Sequence, residues 1–158
     1  MKKVLLSLFV LILLSACGND PIKDDLLNYI NNEVAPLGDE EDKLLTAYSN
    51  VTGDNYESDE DLYYALDEDI IPRYYKFITK LENIRPKTAE VKELHEIYVA
   101  AANNQYNAMT QVLAALEGQD YNLIAEANDK LSKGRKGVRD WQDRLSQLMK
   151  EHNIELKE

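Results

Sequence analysis

Histidine, cysteine and serine are the side chains most often recruited for chemistry, and this chain places few of them usefully. Its two histidines are His95, beside Glu96, and His152, beside Glu151. Neighbours one apart in sequence do not share a helix face, so neither pair forms a general acid–base or metal-binding unit. The Glu-x-x-His spacing of a di-metal helical bundle is absent. So is any paired-cysteine spacing for zinc or haem. Ser49, Ser58, Ser132 and Ser146 lack the strand-to-helix elbow that exposes a nucleophile. The oxygen-rich run Asp54 to Asp59 could attract calcium, yet it lacks the glycine and the full spacing of an EF-hand loop. We therefore expect no catalytic residue, no metal and no cofactor. His95 reads as a boundary residue, and His152 as a last-turn residue favoured by the helix dipole.

Two other sets are better suited to recognition. The chain has ten tyrosines. Tyrosine couples rigid apolar area to a polar tip and is enriched at interfaces. Tyr48, Tyr74 and Tyr98 fall on apolar stripes and read as core. Tyr56, Tyr63, Tyr64 and Tyr121 gather towards one end, the membrane-distal one, of the four-helix topology proposed below, where they are candidates for protein binding. Packing over the bundle end is the plainer alternative. The second set is basic: Lys133, Arg135, Lys136 and Arg139 cluster in a chain of formal charge −11. They suit either a partner or anion contact, or pairing with the acidic runs Asp39 to Asp42 and Asp67 to Asp69. Exposed pairs of that kind stabilise little. Such acidity opposes nucleic-acid binding.

These residues are positioned by four segments of helical period. Asp20 can cap the first and Pro21 suits its first position; its stripe runs Leu26, Ile30, Val34, Leu37, Leu44, Tyr48 and Val51. Ser58, with Asp61 three residues on, opens the second, which carries Leu62 to Ile84 and ends at Pro86. Thr88 can cap the third, Val91 to Leu116, which stops at Gly118. Asp120 can cap the fourth, Ile124 to Leu148, whose apolar positions follow a heptad-like seam and which Asn153 ends. Strand-type alternation is absent. Helices of about 27 to 33 residues, roughly 40 to 50 Å long, joined by short links, predict an all-α, antiparallel up-down-up-down four-helix bundle with partly kinked helices. A three-helix coiled assembly with a separate first segment is the alternative.

Side by side, the helices show a register match. Pro36, Pro72, Asn103, Asn104, Gly134 and Gly137 fall at similar heights. Proline frees backbone carbonyls and glycine lets backbones approach. The match predicts either a mid-height waist holding water or a small polar ligand, or compensating kinks with the amides facing solvent.

The start of the chain is of another kind. Lys2 and Lys3 precede an apolar run from Val4 to Leu14, closed by Leu14-Ser15-Ala16-Cys17. The run is shorter than the roughly 20 residues needed to span a bilayer, and its three-part order is that of an export signal. Cys17 is the only cysteine, so no intrachain disulfide can form. Leu14-Ser15-Ala16-Cys17 resembles the lipobox of bacterial lipoproteins. The resemblance implies diacylglyceryl attachment at Cys17, cleavage before it, and anchorage to a membrane through covalent lipid. It divides the chain into a signal peptide (1–16), a lipidated spacer (17–19) and a helical-bundle domain (20–158). Loss of Lys2 and Lys3 with the signal takes the formal charge from −11 to −13. The whole resembles small all-helical lipoproteins of monoderm bacteria, which would place it on the extracytoplasmic face of the cell membrane. Gly18, in place of an inner-membrane retention aspartate, allows the outer membrane in a diderm host. The expected function is non-enzymatic binding of a protein or envelope component, immunity or exclusion factors included; the alternative is a small polar ligand at the waist.

Overall fold

A computed structural model of the protein describes residues 20–155. The expected signal segment and Cys17 lie outside the described residues. The described chain is all-helical and forms four helices, each packed on the next, with no strand among the described residues.

The first helix covers residues 21–49. Asp20 caps it as expected, one carboxylate oxygen accepting from the Ile22 and Lys23 amides at 3.1 Å each, with Pro21 in the first turn. The second covers residues 59–82, and Ser58 caps it by accepting from the Asp61 amide at 3.1 Å. The third is Ala89–Gly118 and the fourth Asn122–Glu151. The second helix stops at Glu82, short of the Pro86 boundary that the apolar pattern suggests.

Both internal prolines are accommodated in one way. A π-helical segment, Tyr29–Val34, precedes Pro36, and another, Ala65–Ile70, precedes Pro72. The Ala35 amide reaches five residues back to the Ile30 carbonyl, and the Ile71 amide likewise to Leu66. Each proline then lies in the first turn of a resumed α-helix. A first turn is where its missing N–H costs least and its ring meets no carbonyl of its own α segment. The helices bend at a widened turn instead of breaking.

Three expected caps work differently. The fourth helix starts behind Tyr121, and Asp120, one residue further out, accepts the Asn122 amide at 3.1 Å. Thr88 makes no side-chain cap bond to its own helix. Its hydroxyl donates at 2.8 Å to Asp25 of the first helix, whose same oxygen accepts the Lys87 and Thr88 amides at 2.8 and 2.7 Å. The third helix ends at Gly118, but the left-handed residue that closes it is Gln119, at φ 51°. Asn153 does end the fourth helix region in that conformation, at φ 52°.

One core runs through all four helices, with Leu26, Leu44, Leu66, Phe77, Leu94 and Leu148 fully enclosed. The third and fourth helices pack most closely. A Cβ on Gly137 would come within 2.8 Å of the Ala101 Cβ, and one on Gly134 within 2.6 Å of the Gln105 side chain. The first and fourth helices bound two cavities, of about 250 and 570 Å³, that share Leu45 and Val138 in their walls. The start and finish of the bundle meet: the Asp20 carboxylate lies 2.7 Å from His152 Nδ1, and the Lys23 ammonium donates to the Asn153 carbonyl at 3.1 Å.

Candidate functional site: the membrane-distal tip and the bundle groove

Asp20 follows Cys17 by three residues, so the Asp20–His152 end is the one nearer the lipid attachment expected from the sequence. The thirty-residue third and fourth helices put the opposite turns about 45 Å away, at 1.5 Å per residue.

At that far end the loop before the second helix meets the link between the third and fourth. Asp59 organises the junction. Its two oxygens accept the Tyr56 and Tyr121 hydroxyls, each at 2.7 Å. These bonds lower the Asp59 pKa, and the carboxylate in turn raises both phenols. Tyr56, Tyr64 and Tyr121 remain 47%, 50% and 56% exposed. Tyr63 is half-buried and meets Tyr64 edge to face at 5.5 Å; the Asp67 charge, followed by partial desolvation and Glu117, raises its pKa. Between Val51 and Pro72 the sequence is acidic and contains no lysine or arginine. The four distal tyrosines thus share one acidic end, as expected. The oxygen-rich loop beneath them spends Asp59 on tyrosine, and no described group of three His, Asp or Glu residues is arranged to hold a metal.

The basic cluster does not pair with the acidic runs as expected. Lys136 pairs with Asp140 on its own helix at 2.5 Å. Arg73 pairs with Asp69 at 2.8 Å, also on one helix, and Glu40 turns to Lys80 of the second helix at 2.6 Å. Among the described residues Lys133, Arg135 and Arg139 are exposed and make no ion pair within 4.0 Å. Arg135 and Arg139 flank the larger cavity over Tyr48, Met109 and Leu131.

The six waist residues are placed apart from the two cavities. Pro36 and Pro72 are exposed. Asn103 bonds to the Val99 carbonyl at 3.1 Å and to Glu82 at 3.0 Å, and Asn104 to the Ala100 carbonyl at 2.9 Å. Gly134 and Gly137 are filled by the third helix. Of the six, only the two glycines mark a close approach, that of the fourth helix to the third. None of the six lines either cavity.

The smaller cavity holds what the sequence reading missed. Glu41 lines it, with one oxygen accepting the Tyr98 hydroxyl at 2.5 Å and the other buried without a partner. Burial raises the Glu41 pKa, and the nearby Asp42 charge adds to this against the Tyr98 bond. Tyr98 stacks on Trp141, ring centres 4.7 Å apart, and both rings line the same space. A signal was present: the apolar stripe jumps from Leu37 to Leu44, and Glu41 occupies the omitted step.

The histidines and serines are placed apart. His95 is buried, 3.3 Å from the Tyr29 hydroxyl. Burial and then the Arg85 charge lower its pKa. Ser49 and Ser146 donate to carbonyls of their own helices, and Ser58 is a cap. No helix among the described residues is long and apolar enough to cross a membrane.

Comparison with known proteins agrees with the start of the chain. No curated protein and no solved structure matches it. A family model described as "EMYY-motif containing lipoprotein" matches residues 1–157. Read as residues, the label is Glu-Met-Tyr-Tyr, which does not occur here; Asp61-Leu62-Tyr63-Tyr64 has the same order of acid, apolar residue and two tyrosines. In this fold that tetrapeptide supplies the capping partner of Ser58, a buried leucine and two tyrosines of the tip. The match spans the signal segment and the helical domain together, and the chain belongs to the EMYY-motif containing lipoprotein family, a family of lipid-anchored membrane proteins.

Proposed function

We propose that this lipoprotein is a non-enzymatic binding protein, tethered by lipid at Cys17, that presents its acidic tyrosine tip to a positively charged surface of another protein. The observation that carries the reading is Asp59, which fixes Tyr56 and Tyr121 from two separate loops while leaving both rings exposed. Ordering these side chains before binding lowers the entropy lost on association. Lysine and arginine stack favourably on tyrosine faces, and the surrounding carboxylates steer a cationic partner towards them. The short spacer keeps the base of the bundle at the membrane, so the tip stands out from the lipid surface.

Affinity capture from intact membranes tests the reading. The triple variant Tyr56→Ser, Tyr64→Ser and Tyr121→Ser should lose a basic partner that the parent chain retains, and the parent should release it as salt rises. Retention by that variant, with loss instead in Arg135→Gln and Lys136→Gln, would move the binding face to the fourth helix.

A further inference from the structure

The groove between the first and fourth helices carries an independent site. Its smaller cavity, about 250 Å³, has an unusual lining: Glu41, Asp39 and Asp42 on the first helix, Tyr98 and Trp141 opposite, and no basic residue. A carboxylate oxygen buried without a partner is costly, because it has lost water and gained nothing in exchange. Such a group calls for a counter-charge or a donor; the Tyr98 hydroxyl is already bound to the other oxygen, and neither the Gln142 amide nor the buried Trp141 indole N–H, both in the lining, bonds to it. Aromatic faces attract cations through their quadrupole, and paired rings beside a carboxylate are the means by which proteins hold ammonium groups. Gly38 keeps the wall open, since a Cβ there would meet nothing within 4 Å.

We infer that this cavity is a binding site for an ammonium group, with Glu41 as the counter-charge and the Tyr98–Trp141 pair as the aromatic wall. Asp39 and Asp42 are exposed at its mouth and draw the cation in. The apolar walls formed by Val34, Ala35, Leu45 and Val138 suit methyl or methylene groups around the charge. A small alkylammonium compound meets these demands; an anion does not.

The chain has one tryptophan, Trp141 in the wall of this cavity, so its emission carries no signal from another indole. Full-length protein in a non-ionic, amine-free detergent is titrated with choline, with putrescine and with uncharged 3,3-dimethyl-1-butanol at constant ionic strength. Choline or putrescine should give a saturable change that the neutral isostere does not. Glu41→Gln should weaken binding at least tenfold while the helical circular dichroism is kept, and Gly38→Leu, which fills the space, should abolish it. If vesicles of phosphatidylethanolamine alone give the response, the ammonium is borne by a lipid headgroup; a response to free amine makes it diffusible. An equal response to the neutral isostere, unchanged affinity in Glu41→Gln, or no saturable response to any amine would overturn the assignment.

Discussion

Tyr121 donates its hydroxyl to Asp59 at 2.7 Å across the junction of two loops. That bond makes one surface of two otherwise independent turns. Its electrostatic sign is testable. The Asp59 hydrogen bond, then its charge, raises the Tyr121 phenol; for Tyr56 the same bond is again the largest cause. In Asp59→Asn both phenols should titrate at lower pH than in the parent, read by ultraviolet absorbance of phenolate. Unchanged titration would mean that the tip is not held by this carboxylate in solution.

Asp25 is the second organising acid. It is 4% exposed and accepts two amides and a hydroxyl from Lys87 and Thr88. These donors lie just ahead of the third helix, where no residue of that helix can satisfy them. Asp25→Ala leaves them without that partner, and a buried donor so deprived costs about 1–3 kcal/mol. We expect a loss of stability of about 2–4 kcal/mol for the set, measured by urea unfolding. A loss below about 0.5 kcal/mol would show that water replaces the carboxylate.

Two glycines should respond in opposite directions to the same change. Alanine at Gly38 meets nothing within 4 Å and should stabilise the helix by about 0.5–1 kcal/mol. At Gly137 the added Cβ falls 2.8 Å from the Ala101 Cβ and 3.2 Å from its Cα. The overpacking cost, about 1–3 kcal/mol, then exceeds the propensity gain. Gly137→Ala should be destabilising, and adding Ala101→Gly should recover part of the loss. Equal effects at the two sites would refute the close approach of the third and fourth helices.

Two buried groups give stability opposing dependences on pH. Burial lowers the His95 pKa, with the Arg85 charge adding to it. The unfolded chain therefore takes up that proton first, and stability falls as pH drops below about 6.5. Burial raises the Glu41 pKa, with Asp42 adding and Tyr98 opposing. Here the folded chain holds the proton longer, so stability is lost as pH rises from the ordinary carboxylate range through the folded value. The parent's melting temperature carries the sum of the two slopes, and single substitutions separate them. Glu41→Gln should remove the second and raise the melting temperature at neutral pH; His95→Gln should remove the first.

Most of the helical frame was legible because it rests on local rules. Asp20, Pro21, Ser58 with Asp61, and Asn153 act through the backbone within a turn of themselves, so residue type and spacing were enough. The tip was legible because short links between long helices bring their tyrosines to one end. What escaped depends on tertiary contact. Thr88 looks like a cap in isolation and becomes a ligand of Asp25 only when the first helix lies beside it. Pro36 and Pro72 signalled a bend, but not that a widened turn would absorb it and leave both rings in solvent. Glu41 interrupts an apolar stripe, and only the opposing Tyr98 and Trp141 turn that interruption into a site.

The function proposed for the tip requires that it meet a protein. A photo-crosslinking amino acid placed at Tyr64 in the lipidated chain, in living cells, tests this directly, with the same probe at exposed Lys76 as the control. A discrete crosslinked protein is expected from position 64, none from position 76, and loss of the product when Tyr56→Ser and Tyr121→Ser are added. Equal crosslinking at both positions, or a product that survives those two substitutions, would contradict it.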